Sequence, residues 1–238
     1  MNVIVYLIRW TIGFFYFCLI AALGFIGLIF FKPQQIVILA RPLCKALLKS
    51  IGVSIKVTGL YLFDHKGCYI IVCNHESLLD VFLCLGYIPL YFVGIELKEH
   101  FSWPVWGSLI KKWGNIPINK GSFYGAVKSL QKAGVVLKNG TSIMIFPEGI
   151  RTVTGEMREF KKGAFYLAKN AKADILPIAI NGLYYAKTKG DWRIRSANVT
   201  LNFGKPFLYK DFKVLSVEEL RDWAKGTIES LKYKPQGK

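Results

Sequence analysis

The chain has 238 residues, enough for one sizeable hydrophobic core with an attached anchor. Hydrophobic residues make up 53% of it and the net charge is +17, a combination that is unusual for a soluble protein and indicates an anionic partner. Five scattered cysteines, without a Cys-x-x-Cys pair, argue against a disulfide framework or a zinc site and favour a reducing environment. The basic residues are not accompanied by a nucleic-acid-binding motif, so we expect lipid as the partner and no nucleic acid.

Residues 10–31 form an uninterrupted run of 22 residues without a charge. As a helix this run rises about 33 Å, enough to cross a hydrocarbon core of roughly 30 Å. We therefore predict a transmembrane helix; the alternative is a buried core helix, which is normally shorter and rarely apolar on every face. Arg9 and Lys32 flank the run with one charge each, so whether it spans the bilayer or lies in one leaflet stays open.

A basic stripe follows, in a part of the chain that has no acidic residue before Asp64. Arg41, Lys45 and Lys49 are four residues apart and therefore share one face of a helix. This pattern is typical of a helix in the membrane interface, with its cations toward anionic head groups. A core helix with a solvated face is the alternative, and Pro42 suits a first turn or a kink. The opposite face carries the apolar residues Leu39, Leu43, Ala46, Leu47 and Ile51.

The remainder of the chain alternates between strand and helix patterns. Strands are predicted at residues 53–59, 68–73, 90–93, 115–119, 141–146, 174–180, 192–196 and 199–203. Helices are predicted at residues 74–86, 103–113, 124–138, 163–172 and 217–233. The alternation predicts an α/β fold with a mostly parallel central sheet flanked by helices. We divide the chain into N-terminal membrane-anchoring helices, residues 1–50, and an α/β domain, residues 51–238.

The first motif, residues 74–80, has the sequence NHESLLD. His75 follows a buried strand, and loops at the carboxyl edge of a parallel sheet are where ligands bind. Asp80 lies in an apolar run, where an unpaired carboxylate is costly, so we expect it to pair with His75. The other ring nitrogen then becomes a general base. In the alternative interpretation the histidine is a structural cap and the aspartate faces the core. In either case we expect Asn74 to cap the helix that follows.

The second motif, residues 146–152, has the sequence FPEGIRT and follows another strand. Pro147 and Gly149 predict a turn that presents Glu148 and Arg151 together. The arginine can bind a phosphate through two parallel hydrogen bonds. The alternative is a surface turn with a local Glu–Arg pair of little energetic consequence.

Taken together, the two motifs resemble the glycerolipid acyltransferase family, and specifically the bacterial type of 1-acylglycerol-3-phosphate acyltransferase. The family's first block, NHxxxxD, and its third, FPEGxR followed by Ser or Thr, both stand in this chain in the same order. A fourth, apolar block with a proline corresponds to residues 175–178. The resemblance implies that His75 and Asp80 are catalytic. The residues it implies for glycerol phosphate binding are Lys98, Glu148, Gly149 and Arg151.

The second block of the family departs from its usual pattern here. An apolar pair followed by Asp-Arg is usual, whereas this chain has Ile118, Asn119 and Lys120. We expect Lys120 to bind substrate, but lysine keeps the charge without the two-pronged guanidinium group. The identity of the acyl acceptor is therefore less constrained than the acyl transfer itself.

The resemblance implies transfer of an acyl group to the sn-2 hydroxyl of 1-acylglycerol-3-phosphate, giving phosphatidic acid in phospholipid biosynthesis. The donor would be the thioester of acyl carrier protein (ACP) or of coenzyme A (CoA), with no metal or redox cofactor. Localisation at the inner membrane, with the domain facing the cytoplasm, is expected.

Three alternatives remain. The acceptor could be glycerol-3-phosphate or another lysolipid, the same base could activate water in a lysophospholipase, or the protein could bind lipid without catalysis. The intact pair of His75 and Asp80 argues against the last of these.

Overall fold

The computed structural model describes residues 3–119, 121 and 123–233. Within these residues the helices are, in chain order, α1 (Val3–Phe30), α2 (Pro33–Ser50), α3 (Asp80–Tyr87), α4 (Trp106–Trp113), α5 (Phe123–Lys138), α6 (Gly163–Ala171), α7 (Leu183–Ala186), α8 (Tyr209–Phe212) and α9 (Val217–Lys232). The strands are β1 (Val53–Thr58), β2 (Ile70–Cys73), β3 (Phe92–Leu97), β4 (Ile116–Ile118), β5 (Ser142–Ile145), β6 (Ile175–Asn181) and β7 (Ala197–Phe203). Short 3₁₀ helices occupy Leu60–Leu62 and Lys98–Ser102.

These strands form one sheet in the order β1-β7-β6-β2-β5-β3-β4. Neighbouring strands are parallel except β6 and β7, which are antiparallel. The predicted α/β fold with a mostly parallel sheet is therefore confirmed. Because β2 to β6 run in the same direction, their carboxyl ends lie at one edge of the sheet. That edge carries both sequence motifs.

The central strands are apolar on both faces, as parallel strands covered by helices on each side should be. Every residue of β2 and β5 is buried. On one face of the sheet, α2 and α3 pack through Leu47, Leu48 and Leu83. On the other face, the side chains of α5, α6 and α9, such as Leu137 and Phe165, form a second core.

The predicted helix at residues 74–86 is wrong in its first half. The helix begins only at Asp80, and residues 74–79 form a loop. Asn74 does not cap a helix, because its side chain bonds to β6 instead. Its Nδ2 donates to the Ile180 carbonyl and its Oδ1 accepts from the Ile180 amide, both at 2.8 Å. Tertiary hydrogen bonds to a neighbouring strand therefore hold this segment in a non-helical conformation.

The predicted strand at residues 192–196 is also absent. Arg193 Nε and Arg195 Nη2 both donate to the carboxylate of Asp191, at 2.8 and 2.7 Å. The amide of Arg195 donates to the Ala186 carbonyl at 2.8 Å. This local network folds the segment back on itself. The other predicted strands and helices all overlap observed elements.

Within the described residues, α1 is the one helix long and apolar enough to cross a membrane. It also contacts the α/β domain along its length. Near its start, the Trp10 indole donates to the Trp192 carbonyl at 2.6 Å. Further along, a Cβ at Gly24 would lie 2.7 Å from the end of the Leu109 side chain in α4, so the two helices are in close contact at this glycine. The exposed apolar surface of α1 is consistent with membrane association.

The basic stripe of α2 departs from the prediction at Arg41. This side chain turns into the domain, where Nη2 donates to the carbonyls of Ile88 and Leu90, each at 3.1 Å. Lys45 and Lys49 are exposed, as an interfacial stripe requires. The helix continues through Pro42. α2 also packs directly on α3 of the α/β domain. The division of the chain at residue 50 stays a prediction.

We expect the protein to remain on phospholipid vesicles during a high-salt wash and to be released by detergent. Salt screens charges but does not weaken apolar burial. Replacing the exposed Phe14, Ile29 and Phe30 with asparagine should lower vesicle binding at every salt concentration. As a matched control, Lys45→Gln with Lys49→Gln should weaken only the salt-sensitive part of binding. Flotation of the vesicles measures both, and full release of the unaltered protein by salt would contradict the anchor.

Candidate active site

A histidine–aspartate pair lies where β2 ends at the carboxyl edge of the sheet. His75 Nδ1 and Asp80 Oδ2 are 2.5 Å apart, and the side chain of Asp80 is fully buried. The same oxygen accepts the amides of Glu76, at 2.7 Å, and Ser77, at 3.0 Å. Asp80 also begins α3, and a negative charge is favourable at a helix N-terminus. The loop is therefore wrapped around a buried carboxylate, and the predicted contact between the two residues is present.

The imidazole of His75 is held in one orientation. Its ring stacks on Phe146, with centroids 4.1 Å apart and an interplanar angle of 15°. With the proton on Nδ1, that nitrogen donates to Asp80. Nε2 has no hydrogen-bond partner in the described part of the chain, and the side chain is 20% exposed. An incoming ligand can therefore reach the nitrogen that is free to accept a proton.

Glu148 connects the loop that carries His75 to the loop that follows β5. Its side chain is buried; Oε1 accepts the His75 amide at 2.7 Å and Oε2 accepts the Arg158 amide at 2.8 Å. Burial raises the pKa of Glu148, and the amides of Arg158 and His75 oppose that rise by stabilising the carboxylate. Both oxygens are thus used by the backbone. The contact with substrate expected for Glu148 stays a prediction.

Arg151 and Lys98 lie at the same edge, on the loops that follow the adjacent strands β5 and β3. Arg151 is half-buried, and its guanidinium makes no hydrogen bond or ion pair with any residue that the structure describes. Lys98 is exposed at the start of its 3₁₀ helix. An anionic group at this edge can therefore meet two cations.

The other two predicted binding residues are a glycine and a lysine. Gly149 has φ of +75°, a left-handed conformation that lets the chain turn sharply after Pro147. Lys120 lies outside the described residues. It follows β4, whose Ile118 pairs with Leu97 next to Lys98.

Sequence analysis assigned no role to three residues near His75 and Asp80, namely Glu76, Lys187 and Lys232. Burial, and next the nearby charge of Arg151, lower the pKa of the Lys187 ammonium. The backbone carbonyl of Lys187 accepts the Ser77 hydroxyl at 2.8 Å. Glu76 forms a buried ion pair with Lys232 of α9, with 3.1 Å between Oε1 and Nζ. The positions of these lysines in the sequence resemble those of solvated surface residues, so only the folded chain reveals them.

Among the described residues, no three His, Cys, Asp or Glu side chains are grouped as metal ligands. The polar groups at this edge that can act on a ligand are the His75 imidazole, the buried Asp80 carboxylate, and the cations of Arg151 and Lys98. Such a set can deprotonate a hydroxyl and bind a phosphate.

The sequence of this chain is similar to those of several known proteins that are named 1-acyl-sn-glycerol-3-phosphate acyltransferase. The Cocos nucifera protein is 32% identical over 68% of this chain and 53% of its own length. The Limnanthes douglasii protein is 30% identical over 71% of this chain and 59% of its own. The Pseudomonas aeruginosa protein is 36% identical over 57% of this chain and 53% of its own. The chain therefore spans just over half the length of these relatives.

A solved structure supports the fold. The crystal structure of PlsC from Thermotoga maritima, a 1-acyl-sn-glycerophosphate acyltransferase, matches with a TM-score of 0.83 and 24% identity. The match covers 96% of this chain and 93% of that one. A family model described as Acyltransferase matches residues 54–181, more than half of the chain. These matches confirm the resemblance to 1-acylglycerol-3-phosphate acyltransferases, and the chain belongs to the acyltransferase family.

Proposed function

We propose that this protein transfers an acyl group from a thioester to the sn-2 hydroxyl of 1-acylglycerol-3-phosphate, giving phosphatidic acid for phospholipid biosynthesis. The observation that carries the proposal is the pair of His75 and Asp80, 2.5 Å apart at a ligand-binding edge of the sheet. The names of the relatives supply the reaction class.

In the proposed mechanism His75 is a general base. Asp80 accepts a hydrogen bond from Nδ1–H, which fixes the tautomer, and its negative charge stabilises the imidazolium that forms later. Nε2 removes the proton from the acceptor hydroxyl as its oxygen attacks the thioester carbonyl carbon. The tetrahedral intermediate then expels the thiolate, which takes the proton back from His75. Atoms and charges balance without a serine nucleophile.

The phosphate of the acceptor would bind the cations at this edge. Arg151 has its guanidinium available for two parallel hydrogen bonds, and Lys98 adds a second charge from the neighbouring loop. We propose the same role for Lys120. Glu148 and Gly149 would act by shaping the loop that carries Arg151.

We propose no metal or redox cofactor, because a thioester is already activated toward attack and His75 supplies the proton transfer. The donor would be acyl-ACP or acyl-CoA. A chain with a net charge of +17 complements either an acidic carrier protein or the phosphates of CoA, so charge does not separate them.

We propose that the enzyme lies on the cytoplasmic face of the inner membrane. The five cysteines are free, in keeping with a reducing compartment. From Trp10 to Gly24, about 21 Å of helix, α1 contacts the domain, which favours a helix lying beside the domain over one crossing the bilayer away from it.

His75→Ala is expected to lower kcat by about a hundredfold or more, because general-base catalysis contributes 10²–10⁴-fold. The matched control is His65→Ala, which removes an exposed imidazole from the loop between β1 and β2. Acyl transfer to 1-acylglycerol-3-phosphate and the melting temperature are measured together. A folded H75A enzyme with unchanged turnover would remove the mechanism.

Asp80→Asn is expected to reduce kcat by about a hundredfold or more, since the amide can hold the imidazole in the wrong tautomer. The melting temperature must accompany the kinetics, because Asp80 Oδ2 also binds two backbone amides. If a stably folded D80N enzyme turned over normally, Asp80 would have a purely structural role.

Arg151→Ala is expected to raise the KM for 1-acylglycerol-3-phosphate about tenfold or more, as hydrogen bonds to a charged group contribute about 1.5–3 kcal/mol. An acceptor that lacks the phosphate should be affected much less. Arg158→Ala, an exposed side chain of the same loop, is the control. Equal losses with both acceptors would show that Arg151 supports the loop and does not bind phosphate.

A further inference from the structure

A buried ion pair joins the last turn of α9 to the loop that carries His75. Glu76 Oε1 and Lys232 Nζ are 3.1 Å apart, and the two side chains are only 2% and 5% exposed. The residues come from opposite ends of the α/β domain in the sequence. Neither has a place in the mechanism proposed above.

The hydrogen bonds of the pair reach two further segments. Glu76 Oε2 accepts the Tyr184 amide, in the first turn of α7, at 3.0 Å. Lys232 Nζ donates to the Gly155 carbonyl at 2.7 Å. Gly155 belongs to the loop that follows Arg151. The pair therefore connects α7, α9 and the loop that follows Arg151 to the residue next to His75.

The backbone of Glu76 is part of the cage around the catalytic carboxylate. Its amide donates to Asp80 Oδ2 at 2.7 Å, and that same oxygen lies 2.5 Å from His75 Nδ1. Displacement of the Glu76 side chain would move this amide and loosen the carboxylate. A small error in the placement of a base is costly, because about 1 Å of displacement can reduce the rate a hundredfold.

Stability alone is a weak explanation for the pair. Replacing a buried ion pair with apolar residues of similar volume is often neutral or stabilising, since burial removes both charges from water. A precise link between distant segments does require directional groups with defined partners. The hydrogen bonds of Glu76 and Lys232 fulfil that requirement.

We propose that Lys232 is a positioning residue, whose ion pair with Glu76 holds the Glu76 amide on Asp80 and thereby orients His75. The inference rests on the proposed acyl transfer. Lys232 touches neither substrate nor the reacting atoms, and acts only through Glu76.

The pair should respond to pH. Burial raises the pKa of Glu76 to about 7, Lys232 and the Tyr184 amide lower it, and Asp80 raises it further. Glu156 and Tyr233, hydrogen-bonded to each other at 2.9 Å, line the cavity beside Glu76. As the pH falls through about 7, Glu76 takes up a proton and Lys232 loses its partner.

The effect of acid on the stability of the fold is opposite to its effect on the ion pair. A carboxyl with a raised pKa in the folded state contributes stability that is present below its unfolded pKa and lost as the pH rises through about 7. Through Glu76, acid therefore weakens the positioning contact without weakening the fold. Turnover and melting temperature should diverge in this range.

The test compares the unaltered protein with Lys232→Met, the neutral pair Glu76→Gln/Lys232→Met, and the control Lys225→Met. Lys225 lies on the same helix and pairs with the exposed Glu159. We expect K232M to lose about tenfold to a hundredfold in kcat with little change in KM. The neutral pair should recover much of that loss. Its pH profile of kcat should also have a shallower acid limb, because the titrating carboxyl of Glu76 is gone. K225M should behave like the unaltered protein.

A second readout does not depend on activity. The chain has three histidines, so the titration of His75 can be followed by NMR in each variant. We expect its midpoint to move in K232M and to return toward its original value in the neutral pair. If K232M does not fold, Glu76→Gln takes its place in the same comparison.

Unchanged kcat and unchanged His75 titration in a folded K232M protein, with only a lower melting temperature, would overturn the inference. So would a neutral pair that is as impaired as K232M in both readouts. If the unaltered protein transfers no acyl group, the proposed function fails. The His75 titration then still decides whether the pair positions the imidazole.

Discussion

The buried carboxylate of Asp80 is the constraint on which the site depends. An ionised group at this depth is costly unless it is hydrogen-bonded, and Oδ2 accepts two backbone amides and faces His75. The loop of residues 74–79 must therefore curl around it and cannot continue as helix. The geometry that orients the imidazole thus follows from the hydrogen bonds that gather around Oδ2 of this carboxylate.

The surrounding structure holds that loop against the sheet through polar side chains bonded to backbone. Asn74 binds β6 through both polar atoms of its amide, and Glu148 binds the amides of His75 and Arg158. The contacts of Asn74 with β6 and of Glu148 with His75 join segments that are far apart in the sequence. Because the strands beneath are buried and parallel, their ends form a rigid edge to which the loops are attached.

Several features could be predicted from the sequence because they depend on local pattern. Apolar strands alternating with helices indicated the sheet, and the spacing of His75 and Asp80 within an apolar run indicated their contact. The prediction that Arg41 lies on the exposed basic stripe is wrong, because helical spacing cannot reveal the carbonyls of Ile88 and Leu90 that bind its side chain. Residues 192–196 have the composition of a strand, but hydrogen bonds to the carboxylate of Asp191 hold them in an irregular conformation.

By itself the sequence determined the α/β class, the apolar N-terminal helix and the residues of both motifs, since these follow from periodicity and residue type. Only the tertiary structure decided which side chains brace the site. The pairing of Glu76 with Lys232 and the use of Glu148 by two backbone amides depend on segments that meet after folding. Burial turns a lysine at a helix end from a solvated charge into a group that requires a partner, and burial is a property of the folded chain.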